Sequence, residues 1–583
     1  MSHTARAEKK AKTQQRIPVI DLFAGPGGLS EGFSRYSSFR SSDHHFDVRL
    51  SIEMDSIACD TLRLRSFFRQ FSGDEVPEIY YDFVRGDAKW EDLNNHEAWC
   101  AAKEHVWQTE LGETEKETLH KTIRKRLAGE SDWVLLGGPP CQAYSLIGRA
   151  RMTGLGHSGR ESSENGKNVD ELKEQRLSEF LKDTRHTLYR EYLRIVAVHQ
   201  PAVFVMENVK GILSSKLEAE NIAESQEKNV RVFSKIRDDL SRPWDALKND
   251  EFYDELMQYR TSPPSSYKLY SFVHEANGRA QLLKDSDFLI RSENYGVPQN
   301  RHRVILLGVR DDISVEPRSL KVGDPAKVRD VLENMPPLRS GLSRQDDSAT
   351  AWQKAIADWF SEERIKSLPD LNCQHVVRSV ARRKSVELDR GGQFQSYVEP
   401  KITASEELTR WFIDGKLGGV IQHEARTHMA SDLGRYLFVS AMSSVGAGSL
   451  TLDGWPLSLL PEHRNVEIDK ANGRPAVKGF KDRFKVQTWD RPSSTVTAHI
   501  SKDGHYFIHP DPQQCRSLTV REAARLQTFP DNYFFCGNRT QQYQQVGNAV
   551  PPFLAVQLAE VVARLLKGDE DTASQISEPE AGI

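Results

Sequence analysis

The sequence predicts an α/β protein: a doubly wound, mostly parallel sheet with a second, smaller domain inserted near its end. Short apolar runs recur at 17–23, 133–136, 202–206 and 303–309, each the length of a buried strand. Stretches of helical periodicity lie between several of them, notably 187–198, and strands that alternate with helices build parallel sheets. From 311 to 490 the texture changes to helical patches and many glycines, and the α/β pattern resumes after it.

In chain order, 1–16 is basic and polar and is expected to be disordered. The first strand, 17–23, is stopped by Ala24-Gly25-Pro26-Gly27-Gly28, and a helix follows from Leu29. A second strand ends near Glu53, with a helix from about Asp55. The strand 133–136 runs into Gly137-Gly138-Pro139-Pro140. Residues 142–182 read as a mobile loop, rich in Gly, Ser, Glu, Arg and Lys over 149–180, with a short helix near Leu172–Leu181. A polar insert covers 214–285. The first domain thus spans 17–310 and the inserted one 311–490, with helices at 352–366 and 404–412. Residues 491–567 return to the first domain and end in an amphipathic helix, 552–566; the acidic tail 568–583 is expected to be disordered.

Composition excludes several classes. No apolar run reaches the ~18 residues of a membrane span, and the N-terminus lacks the apolar core of a secretory signal. Six cysteines (59, 100, 141, 373, 515 and 536) show no CxxC spacing, which argues against structural zinc and a disulfide framework and fits a cytoplasmic setting. The formal net charge of −4 does not mark a nucleic-acid binder, but the acidic tail dilutes local clusters. Arg378, Arg382, Arg383 and Lys384 form one such cluster, suited either to phosphates or to a solvated helix face.

Four motifs carry chemistry. In Pro139-Pro140-Cys141-Gln142 a thiol sits on a rigid turn just past a buried strand, a placement that suits a nucleophile. Gly25, Gly27 and Gly28 allow close approach of a ligand at a helix N-terminus, or simply turn the chain; Ser30, where a dinucleotide fingerprint wants glycine, disfavours a nicotinamide or flavin. Glu53 can accept from ribose hydroxyls, Asp87 from an adenine amino group, and Phe23 can lie on the adenine, a set that suits S-adenosylmethionine. Glu207, directly after a buried strand, is placed for desolvation that favours its protonated form and proton donation to a ring nitrogen; alternatively Glu207-Asn208 caps a helix. Gln299, Arg301 and Arg303 alternate ahead of a strand, so they should share one face and orient a carboxylate or bind a base carbonyl, or form a surface ion-pair row.

These segments resemble the motifs of the C5-cytosine DNA methyltransferases, in that family's order. Asp21 to Gly28 looks like its cofactor motif, Gly138-Pro139-Pro140-Cys141-Gln142 its nucleophile motif, and Glu207-Asn208-Val209 and Gln299-x-Arg301-x-Arg303 its supporting catalytic motifs. Asp183 to Tyr189 is similar to the segment after its mobile loop, Arg516 to Gln527 to a late structural motif, and Gly547 to Pro551 to the final one. The resemblance implies a Rossmann-like methyltransferase sheet, with 311–490 as a target-recognition domain. It implies S-adenosylmethionine bound by Phe23, Gly25, Gly27, Gly28, Glu53, Met54, Asp87, Pro139, Leu188, Asn548 and Val550. Met54 stands where many members carry an aromatic residue. It further implies a cytosine flipped from double-stranded DNA, attacked at C6 by Cys141 and methylated at C5, with Glu207 at N3 and Gln299, Arg301 and Arg303 in support. Arg185, Arg378, Arg382, Arg383 and Arg426 are candidate DNA contacts, with Gln422, His423 and His428 as further base readers in the inserted domain. The family context implies a monomeric prokaryotic protein, either paired with a restriction endonuclease or solitary. An RNA (tRNA) cytosine methyltransferase and a silent DNA-binding regulator are the alternatives; the large inserted domain argues against the first, and retention of Cys141, Glu207 and the glycine turn against the second.

Overall fold

In the computed structural model, the described residues are 15–140, 184–215, 231–344, 346–384, 387–396, 405–462, 466–469, 474–477 and 480–568. Eight strands form the central sheet: β1 (Gln15–Leu22), β2 (His44–Glu53), β3 (Val106–Gln108), β4 (Val134–Gly137), β5 (Val203–Val209), β6 (Tyr267–Ser271), β7 (Leu289–Arg291) and β8 (His302–Arg310). Their order is β3-β2-β1-β4-β5-β8-β6, with β7 also paired to β8. The first five strands are mutually parallel, and β8 runs antiparallel to β5, β6 and β7.

The strand order reverses direction at β1, between β2 and β4, so the carboxyl ends of β1 and β4 flank a topological switch point, where open α/β sheets bind ligands. The chain turns sharply there. Gly27 stands at φ 89°, a left-handed conformation that favours glycine, and hands over to the helix Gly28–Arg40. Asp55 caps the next helix, Ser56–Arg69, by accepting from the Ala58 amide at 2.7 Å.

Three strands were not read from the sequence. β3 is only three residues long, and β6 and β7 lie within or just after the polar insert. The sheet's antiparallel edge comes from β6, β7 and β8, whereas β3 closes the opposite, parallel edge.

The larger core on the sheet joins β1, β4, β5 and β8 to the helix Pro552–Lys567, whose close packing on the first helix leaves no room for a Cβ at Gly32 beside Ala555. A second core sets Ile20, Leu22, Leu135, Phe204 and Leu306 of the same strands against Leu188, Tyr192, Leu193 and Val196 of the helix Thr184–His199. Another core gathers Trp352, Phe360, Val377, Leu437, Trp455 and Phe484 within the inserted region. The segment 405–424 nevertheless packs on the first body: Leu408, Trp411 and Phe412 enter the larger core, and Leu417 and Ile421 meet Tyr80 and Tyr81. The stretch Arg539–Lys567 is apolar and long enough to cross a membrane, but 78% of its most apolar window is buried inside the fold. The expected loop 142–182 and both terminal tails lie outside the described residues, apart from Gln15, Arg16 and Gly568.

Candidate active site

A cavity of about 400 Å³ opens at the carboxyl ends of β1, β2 and β4. Of the expected ligand-binding residues it is lined by Phe23, Gly25, Gly28, Glu53, Met54, Leu188, Asn548 and Val550, and Glu207 lines it as well. Its polar wall is Glu53. The Glu53 Oε1 accepts from the amides of Met54 and Asp55, both at 2.9 Å, and Oε2 accepts from the Gly25 amide at 2.8 Å. A carboxylate offers roughly four acceptor sites, so about one remains on Oε2 for a ligand hydroxyl. Opposite, Gly28 packs so tightly on the returning chain that a Cβ would sit 2.2 Å from the Val550 carbonyl oxygen.

Three expected residues lie off this cavity. Gly27 shapes the turn, where a Cβ would meet Leu62. The Pro139 carbonyl accepts from Asn208 Nδ2 at 3.0 Å, which pins the Gly-Pro-Pro turn to β5. Asp87 is exposed on the turn after Gly86, away from the cavity, so its assignment to an adenine amino group is corrected. The wall beside Glu53 is instead Thr109, Glu110 and Leu111, at the end of β3. The signal for them was Val106-Trp107-Gln108, an apolar run too short to stand out; the helices over 78–104 separate it from β2. Also missed were Gly138, Pro140, Gln541, Gln544 and Gln545, and above all Asp21. Asp21 is buried, its Oδ2 has no hydrogen-bond partner, and burial pushes its carboxyl up to about 7.

Glu207 and Arg303 form the second half of the site. In the antiparallel pair β5–β8, Val209 faces Arg303 and Glu207 faces Ile305, so Glu207 and Arg303 are diagonal neighbours on one face. Arg303 Nε lies 2.6 Å from Glu207 Oε1. The other oxygen, Oε2, points at Gly138, where a Cβ would come within 3.0 Å of it. Arg303 thus orients a carboxylate, one of the roles expected of the Gln299–Arg303 segment. Asn208 does not cap a helix; it clamps the turn that leads to Cys141. Cys141 itself lies outside the described residues.

The expected common face of Gln299, Arg301 and Arg303 is not observed, because β8 begins at His302 and the two earlier residues precede the pleat. Gln299 accepts from the Val496 amide at 2.7 Å and donates to the Leu526 carbonyl and Gln527 Oε1. Arg301, fully buried, donates to the Val496 carbonyl at 2.7 Å and the Gly547 carbonyl at 3.1 Å. Both are struts to the returning chain, and only Arg303 reaches Glu207.

The arginines proposed to touch DNA are largely engaged within the fold. Arg378 and Arg382 share Glu362, at 3.2 and 3.4 Å, and Arg383 donates to the Gln513 backbone and side chain. Arg426 is buried, donates to the Ile500 and Lys502 carbonyls and stacks 3.9 Å over the Tyr543 ring. Gln422 exchanges hydrogen bonds with the Phe535 backbone, and His423 and His428 are buried among Thr519, Pro336, Ser517 and Tyr436. The assignments of Arg426, Gln422, His423 and His428 as base readers are corrected: backbone carbonyls and buried neighbours, invisible in the local sequence, claim these side chains, whereas Arg378 and Arg382 stay on the surface. Arg185 stands in the first turn of the helix Thr184–His199, and its side chain lies outside the described residues.

A ligand cavity at the switch point of a parallel sheet, adjoining an arginine-held carboxylate beside a Gly-Pro-Pro turn, defines an α/β group-transfer enzyme. The model of the C-5 cytosine-specific DNA methylase family matches residues 174–230 and 288–564, more than half of the sequence, and the chain belongs to that family. It is a DNA (cytosine-5-)-methyltransferase. It is similar along nearly its whole length to the type II methyltransferase M.Bpa9945I of Bacillus paralicheniformis, with 29% identity over 94% of this chain and 99% of the relative. Against the type II methyltransferase M.AgeI of Thalassovita gelatinovora the identity is 25%, over 94% and 99%. Against the DNA (cytosine-5-)-methyltransferase M.ApeKI of Aeropyrum pernix it is 24%, over 76% and 83%.

Proposed function

We propose that the cavity binds S-adenosylmethionine and that Cys141, Glu207 and Arg303 act on a cytosine swung out of duplex DNA. The observation that supports this reading is the shared wall. One cavity is lined at one end by Gly25, Gly28 and Glu53 and at the other by Pro140, the residue before Cys141, and Glu207.

The residues fit such a donor. Phe23, Leu188, Met54 and Leu111 would flank the adenine, and the remaining acceptor site of Glu53 would take a ribose hydroxyl. The buried, unpartnered Asp21 oxygen offers a counter-charge to a cationic ligand. Bound there, S-adenosylmethionine supplies an electrophilic methyl for C5.

The chain's own residues make C5 receptive. The Cys141 thiolate forms a bond to C6, and the C5–C6 π pair shifts to give C5 enamine-like density. Arg303 occupies Glu207 Oε1 and leaves Oε2 to meet the N3 and amino edge of the base, where charge develops on addition. Loss of the C5 proton to a base then restores the double bond as the thiolate departs. The names of the type II relatives support a place beside a restriction endonuclease.

A duplex with 5-fluorocytosine at the target blocks the final elimination. The wild-type enzyme should form a denaturation-resistant adduct that Cys141→Ser does not, with the target found by bisulfite sequencing of cells expressing the enzyme. An adduct that persists in Cys141→Ser would overturn the assignment of the nucleophile.

A further inference from the structure

A groove of about 960 Å³ runs beside the segment that carries Arg303 to Glu207. Asn300, Lys485, Arg491, Thr495, His499 and Tyr506 line it. Thr495 donates to the Asn300 carbonyl at 2.5 Å, so the groove is fastened to the chain three residues before Arg303. Lys485 and Arg491 enter no ion pair among the described residues, and Asp482 is the one carboxylate in the lining.

Phe480 also lines the groove and is 72% exposed; among the described residues it is the one aromatic ring that stands mostly in solvent. Its backbone adopts φ 51°, a left-handed conformation that bulky residues rarely take. The turn beneath it is fixed: the Arg483 amide donates to the Phe480 carbonyl at 3.1 Å, and the Leu452 amide donates to the Lys481 carbonyl at 2.8 Å. Lys481 pairs with Asp453 at 2.9 Å. The fold thus holds the backbone in a strained state while leaving the ring unpacked, an arrangement with no purpose in the core.

We infer that this groove seats duplex DNA beside the extruded cytosine, with Lys485 and Arg491 on phosphates and the Phe480 ring stacked on the flanking bases. The inference rests on the base-flipping reading above. Two open cations suit a phosphate backbone, and an apolar ring in the same groove suits an unstacked base step, which offers a π-face whatever its sequence. Phe480 was not legible beforehand, because an isolated phenylalanine among lysines reads as ordinary surface.

The test uses the full-length enzyme, tritiated S-adenosylmethionine and unmethylated bacterial genomic DNA. Phe480→Ala should lower kcat/KM for DNA by about tenfold or more, since base–aromatic stacking is removed. The KM for S-adenosylmethionine and the Tm should not move, and Phe480→Trp should retain most activity. The double variant Lys485→Gln, Arg491→Gln should flatten the dependence of log K on log salt by about two units, at ~0.9 per phosphate contact, whereas Phe480→Ala leaves that slope unchanged. Wild-type kcat/KM in Phe480→Ala, or equal losses in the Ala and Trp variants, would overturn the inference. Failure of every form to trap 5-fluorocytosine would instead sink the base-flipping reading on which it rests.

Discussion

Asp21 offers the sharpest test of the cofactor cavity. It is the penultimate residue of β1 and lines the cavity, 1% exposed, with Oδ2 unpartnered. Burial pushes its carboxyl up to about 7; the Glu53 charge adds to this, while Ser30 and Arg69 oppose it. An unfolded aspartate titrates near ~3.9, so between that pH and about 7 the folded chain keeps a proton that the unfolded chain has released. Unfolding therefore releases a proton in this window. The contribution of Asp21 to stability falls as pH rises through it and levels off above, once both states are ionised. A shift from 3.8 to about 7 corresponds to roughly 4 kcal/mol of penalty at pH 8, taken as an upper bound. Asp21→Asn removes that penalty. The ligand-free variant should exceed the wild type by on the order of 2–4 kcal/mol at pH 8, with the gap closing toward pH 4. Urea denaturation across this range, with m-values compared, measures it. The same variant should bind S-adenosylmethionine more weakly, because the cavity has lost its latent negative charge. In calorimetry at pH 6.5, the wild type should release a proton on binding and the variant should not. A stability difference independent of pH would refute the reasoning, since it would mean that Asp21 has a compensating partner.

Three further outcomes follow from the geometry. Gly28→Ala would drive a Cβ to within 2.2 Å of the Val550 carbonyl, so the returning chain must shift; affinity for S-adenosylmethionine should fall at least ~tenfold and stability by about 1–3 kcal/mol, read by calorimetry and urea titration. Arg303→Gln should cut kcat by ~100-fold or more with little change in Tm, whereas Arg301→Gln, which loses buried bonds to the Val496 and Gly547 carbonyls, should lower stability by roughly 2–4 kcal/mol; single-turnover methylation and thermal melts separate the two. Burial holds His423 and His509 down to about 4 and His428 well below its ordinary value, so the unfolded chain binds more protons below pH ~6.5, and stability should decline as pH falls from there toward 4; a flat urea midpoint across that range would contradict it.

The parallel half of the fold was legible because each of its longer strands is a compact apolar run ended by a turn signal, as at Gly25–Gly28 and Gly138–Pro140. Glu207 could be placed for the same reason. The short β3 could not, and that error carried Asp87 into a pocket it does not line. Local alternation likewise assigned three residues of the Gln299–Arg303 segment to one face. What decides their direction is a partner nearly two hundred residues away, the backbone around Val496. The buried arginines of the inserted region show the same limit: a charge reads as surface until long-range carbonyls or an aromatic ring enclose it, as Lys502, Ile500 and Tyr543 enclose Arg426.

These long-range bonds explain how an interrupted domain can present one precise site. The chain leaves the first body after β8 and must return in register to build the far wall of the cavity. Gln299 and Arg301 bond the returning backbone at Val496, Leu526 and Gly547, two to four residues before the Arg303 that holds Glu207. Tyr533 donates to the Pro26 carbonyl, Thr61 bonds Gln545 at 2.6 Å, and Val550 closes on Gly28, so the same return also grips the glycine turn. Docking of 491–551 and alignment of both halves of the site are therefore one event. A variant that loosens the return, such as Arg301→Gln, should weaken S-adenosylmethionine binding and methyl transfer together, whereas one confined to the Glu207–Arg303 pair should spare binding.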